Sequence, residues 1–144
     1  MEILIAGRIK LNRLVVGISL FSFAVSLTQE CYCTSEICGD SLPVFFVGIL
    51  GIFYGGATLV WLANPLIFLA WIFTFRNSKF ALPVSIVATS ICLSFLLFER
   101  IIDDEAGNIH EIISYQLGYW LWSASAAILT IGNAIGIILS RQKA

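Results

Sequence analysis

Apolar residues in this chain fall into four long blocks, at about 11–28, 43–75, 81–98 and 115–140, with short polar segments between them. A helix needs about 20 apolar residues to cross a bilayer. Two blocks match that length; 115–140 is somewhat longer, its first turns expected to rise above the membrane, and 43–75 far exceeds it. As a single helix, 43–75 would be about 50 Å long, against a hydrocarbon core near 30 Å. Gly55-Gly56 offers a break. The pattern therefore predicts a short outer interfacial or re-entrant helix over about 43–54, with Pro43 in its first turn, then a span over 56–75. The alternative is one long, tilted, kinked helix. Asn64-Pro65 inside the second span predicts a packed kink near Trp61, because proline frees a carbonyl one turn earlier. The expected fold class is an all-α integral membrane protein. It has one domain, residues 1–144, with four transmembrane helices.

Charge sets the orientation. Arg8, Lys10 and Arg13 precede the first block, Arg76 and Lys79 separate the second from the third, and Arg141 and Lys143 follow the fourth. Only Arg100, of the eight Lys and Arg residues, falls in an intervening loop on the other side. This is the positive-inside pattern, and it places both termini in the cytoplasm and loops 29–42 and 99–111 outside. A bacterial plasma (inner) membrane is the expected location. A rival reading takes the basic start, Leu14–Phe23 and Ala24-Val25-Ser26 as a cleavable signal peptide. That would leave three spans in the same orientation.

Composition agrees with lipid as the solvent. The chain is 59% hydrophobic and 12% charged, where soluble domains carry roughly 25% charged residues. Its 144 residues leave no room for a separate soluble domain. There is no basic stripe of the kind nucleic acid requires. Tyr115, Tyr119, Trp120 and Trp122, with Tyr32 and Tyr54, read as an aromatic belt at the outer interface, and Trp71 as a marker of the inner one.

Gly118, Ser125, Gly132 and Gly136 share a broad face of the fourth block, the last two as GxxxG. Small residues let helices approach closely, either inside one bundle or against a second copy or a membrane partner. Gly48, Gly51 and Gly55 form a second smooth face, and Gly17 with Ala24 a third. Asn64 and Asn133 are intramembrane amides, expected to hydrogen-bond between helices. No ionisable residue lies mid-span, which argues against a proton or ion path.

Cys31, Cys33 and Cys38 form C-x-C-x4-C in the first outer loop. Outside the cytoplasm one disulfide is expected, and Cys33–Cys38 and Cys31–Cys38 are both sterically open. In architecture alone, outer-loop cysteines on four helices resemble the quinone-linked disulfide-generating oxidases. Those enzymes pair cysteines in both outer regions, whereas 99–111 has none and Cys92 lies within the third block. The second outer loop, with Asp103, Asp104, Glu105 and His110, reads as a solvated acidic loop rather than a cation site. Within it Arg100 is placed to pair with Asp104, and Ala106-Gly107-Asn108 reads as a turn.

No catalytic residues, metal site or cofactor are expected. The leading functional expectation is a non-catalytic protein that binds a partner in or beside the bilayer, of accessory-subunit or immunity type. Two alternatives follow from the same residues. One is a thiol-disulfide oxidoreductase using the outer cysteines. The other is a small channel or carrier oligomerised around Asn64 and Asn133.

Overall fold

The structure is a computed structural model that describes residues 2–102 and 107–142. It is mostly helical but not all-α. Helices α1 (Glu2–Ser26), α2 (Ser41–Gly51), α3 (Ala63–Phe75), α4 (Ala81–Ser94) and α5 (Leu117–Arg141) are joined by a sheet of four strands. These are β1 (Glu30–Thr34), β2 (Cys38–Asp40), β3 (Arg100–Ile102) and β4 (Ile109–Tyr115), antiparallel in the order β2-β1-β4-β3. Three helical segments among the described residues are long and apolar enough to cross a membrane: Gly7–Ser26, Gly56–Phe75 and Leu117–Arg141. A shorter one, Ala81–Leu97, runs through α4 into a 3-10 turn.

The sheet corrects the expectation of two polar loops. β1 pairs with β4, Tyr32 opposite Tyr115 and Cys33 opposite Ser114, so the two loops form one cap. Ile109, Ile112, Ile113 and Tyr115 are residue types that favour a pleated, half-buried surface. α5 consequently starts at Leu117 after a strand, not at 115. Arg100 pairs with Glu111 at 3.5 Å. Asp103, Asp104, Glu105 and Ala106 lie outside the described residues, as does Lys143.

The long apolar block breaks at Gly55. Gly55 (φ 72°) and Gly56 (φ 62°) both adopt positive φ, a region that only glycine enters cheaply. The chain reverses there. α2 and the 3-10 turn Ile52–Tyr54 fold back along a 3-10 segment, Gly56–Leu62, that leads into α3. The Trp61 indole donates to Phe45 O at 2.7 Å, and Thr58 Oγ1 donates to Gly51 O and to Gly55 O. A 3-10 run this long is uncommon. Its cause is local: Pro65 cannot donate to the Trp61 carbonyl, and Thr58 draws the preceding turn tight. The kink expected near Trp61 is thus a change of helix type.

α1 packs antiparallel on α5, and α4 lies between α3 and α5. Cross-links show the pairing. Ser19 Oγ donates to Ser125 O (2.7 Å), Ser22 Oγ to Leu121 O (2.8 Å) and Asn12 Nδ2 to Thr74 O (2.8 Å). The core is Val15, Phe23, Ala63, Ile67, Ala70, Ala88, Cys92, Ala126 and Leu129. Charge is divided between the two ends. Arg8, Lys10, Arg13, Arg76, Lys79 and Arg141 lie at the end holding the α3–α4 turn, and Glu30, Glu36, Asp40, Glu99, Arg100 and Glu111 lie at the sheet end.

Candidate functional site

The small residues singled out on the helices each have an identifiable place. Gly132 meets Val15 of α1: a Cβ there would lie 3.0 Å from Val15 Cβ and closer still to both its methyl carbons. Gly136 is looser, with only Leu11 Cδ2 near, at 3.9 Å. Ser125 is buried and accepts from Ser19. A Cβ on Gly118 would come within 2.6 Å of Glu30 O, so β1 crosses directly over the start of α5. The small-residue face of α5 is therefore occupied within this chain. Gly48 likewise lies beneath the Trp61 ring and Gly51 against Thr58. Gly17 touches nothing within 4 Å, and Ala24 is exposed.

The two amides of the apolar helices, Asn64 and Asn133, join helices. Asn64 Oδ1 accepts from the Trp122 indole at 2.9 Å. Asn133 Nδ2 donates to Thr74 Oγ1 at 2.9 Å and reaches Ser85 Oγ at 3.5 Å. The aromatic belt is only partly a belt. Tyr54 and Trp120 are exposed, but Tyr32 and Tyr119 are 6% and 2% exposed and belong to the core beneath the sheet. The Trp71 indole donates to Ser19 Oγ at 2.8 Å and packs against Phe23 and Phe68.

Cys33 and Cys38 face each other across the β1–β2 hairpin and form the disulfide. Cys31, two residues back, falls at the register shift between Glu30 and Tyr32 and is not opposite Cys38. Its thiol donates to Gly39 O at 3.2 Å. Burial pushes the Cys31 thiol up from 9.0 to about 11, against smaller lowering by hydrogen bonds from the Tyr32 backbone and the Ser41 hydroxyl. It is a protonated, weakly nucleophilic group at neutral pH. Glu30 and the two disulfide sulfurs also lie close together, but sulfurs bonded to each other offer a metal no thiolate.

Cys31 lines the feature that the sequence did not reveal, a cavity of about 710 Å³ between the sheet, α2 and the tops of α3 and α5. Its walls are mainly aromatic and aliphatic, among them Phe45, Val60, Trp61, Phe95, Tyr119 and Trp122. The polar groups are few. Ser41 Oγ is buried and has no nitrogen or oxygen partner, and the Cys31 thiol is its polar neighbour. Asn64 lies deeper, and Asp40 sits at the start of α2. Sequence patterning could not find the cavity, because its walls come from segments as far apart as Cys31 and Trp122. The one signal was Gly55-Gly56, the hinge that folds α2 over it.

Asp40 and Ser41 line the cavity beside the Cys31 thiol, which burial holds protonated at neutral pH. No family model, curated protein or solved structure matches this chain.

Proposed function

We propose that this chain is a four-span integral membrane protein that acts by binding, and that the cavity under its sheet holds an apolar or amphipathic molecule drawn from the surrounding lipid. The cavity carries the reading. Ligand sites are typically about 300–1,000 Å³, mostly apolar, with a few placed polar groups, and this one has about 710 Å³. Ser41, a buried hydroxyl whose polar neighbour is the Cys31 thiol, supplies a hydrogen-bonding point for an uncharged polar head, since such a group is costly to leave unmade. The absence of a charged group at the depth of Asn64 suits an apolar tail.

The fourth span in this reading is Ala81–Leu97. Fourteen α-helical and three 3-10 residues rise about 27 Å, close to the hydrocarbon thickness. The basic end then faces the cytoplasm and the sheet lies outside, where its disulfide persists. A second reading, docking of a partner protein, is favoured by Ile37, Ile109 and Ile113, which stand 63%, 63% and 68% exposed on the sheet cap.

One titration tests both. A pyrene-labelled fatty alcohol added to the detergent-purified protein should bind saturably at one site. Ala57→Phe, which fills the cavity from the Gly56–Leu62 segment, should abolish that binding. Non-saturable partitioning that is identical in the two proteins would refute the cavity reading. A protein co-purifying in fixed ratio with both would turn the assignment to the sheet face.

A further inference from the structure

A second cavity, of about 200 Å³, lies at the opposite end of the bundle between the start of α1, the α3–α4 turn and the end of α5. Among the described residues its lining includes Arg8, Asn12, Asn77, Ser78, Lys79 and Asn133, and no Asp or Glu. The turn is built rigidly. Asn77 takes a left-handed conformation (φ 56°), Ser78 N–H donates to Phe73 O and Asn77 N–H to Thr74 O. That pair of bonds is a Schellman closure of α3. Asn12 and Asn133 fasten the same corner from α1 and α5 through Thr74. Lys79 and the first turn of α4 follow directly on this closure.

The charges there are unmatched. Arg8 Nη1 donates to Ser140 Oγ at 3.2 Å, while its Nε is buried with no partner. Lys79 Nζ lies 5.3 Å from the centre of the Phe80 ring. Neither forms an ion pair among the described residues. A guanidinium with an unused, buried N–H, the Lys79 side chain and the first turn of α4 line one concavity. Each of these favours an anion, and the planar guanidinium favours a phosphate or carboxylate with two acceptor oxygens.

We propose that this cavity binds a phosphate group, supplied either by the headgroup of an anionic phospholipid in the adjoining leaflet or by free phosphate. Arg8 and Lys79 neutralise it, and Ser78 and Asn77 are within the same lining to orient it.

The test uses the full chain in a neutral detergent, with dioctanoyl phosphatidylglycerol, dioctanoylglycerol and inorganic phosphate as titrants in calorimetry. Phosphatidylglycerol is expected to bind saturably and the phosphate-free diacylglycerol is not. The double variant Arg8→Gln/Lys79→Gln should weaken binding by about tenfold or more, the loss of at least one charge-assisted contact. Arg8→Lys/Lys79→Arg keeps both charges and should restore most of it, which separates lost binding from lost folding. Inorganic phosphate that binds while the lipid does not assigns the site to the free ion; a lipid that binds alone assigns it to the membrane. The proposal is overturned if neither binds or if diacylglycerol binds equally. It is also overturned if Arg13→Gln, an exposed cation outside the cavity, weakens binding as much as the double variant does.

Discussion

The two glycines of the α5 GxxxG pair are equivalent in sequence and unequal in the structure, and the difference can be measured. Gly132→Ala places a methyl group inside the space of the Val15 side chain, within 3.0 Å of its Cβ. Overpacking of that kind costs about 1–3 kcal/mol. Replacing a mid-helix glycine by alanine returns about 1 kcal/mol in backbone terms. The net expectation is a loss of about 1 kcal/mol. Gly136→Ala meets only Leu11 Cδ2 at 3.9 Å, ordinary van der Waals contact, so it keeps the backbone gain of about 1 kcal/mol. The two variants should differ by about 2 kcal/mol, or roughly 4–8 °C in melting temperature. The assay is thermal unfolding in mild detergent, followed by circular dichroism, on both single variants and on Gly132→Ala/Val15→Ala. The added space at residue 15 should recover most of the loss. Equal melting temperatures for Gly132→Ala and Gly136→Ala would refute the reasoning. So would a double variant no better than the sum of its parts, because the contact between α1 and α5 would then not lie where the geometry puts it.

Alkylation of Cys31 in a Cys92→Ser background should be about a hundredfold slower at pH 8 than for a thiol of pKa 9.0, rising with pH until about 11; stoichiometric labelling within minutes at pH 8 would contradict it. The same shift makes the folded state hold its proton more tightly than the unfolded state. Stability should therefore be intact below pH 9.0 and decline as pH rises towards about 11. Reducing the Cys33–Cys38 bond, or Cys33→Ser, should cost on the order of 2 kcal/mol for so short a loop, and a melting curve unchanged by reductant would count against a stabilising role.

What could be read early is local: the apolar blocks, their lengths and the basic margins are each a property of consecutive residues. The Gly55-Gly56 reversal belongs with them, since positive φ at two successive positions is a local requirement. The disulfide was half legible: spacing allowed both Cys33–Cys38 and Cys31–Cys38, and the choice fell to the register of β1 on β2, which sets Cys33 opposite Cys38. What depended on tertiary structure was every pairing between distant segments. β1 and β4 lie some eighty positions apart, and their charges and short length masked them as solvated loops. Once paired, they turned Tyr32 and Tyr119 inward, set Gly118 beneath the chain at Glu30 and roofed a cavity. The glycine stripe on α5 was visible from the start as a contact surface. Only the packed bundle decided that Val15 and Leu11 fill it, because a helix face carries no record of which neighbour will cover it.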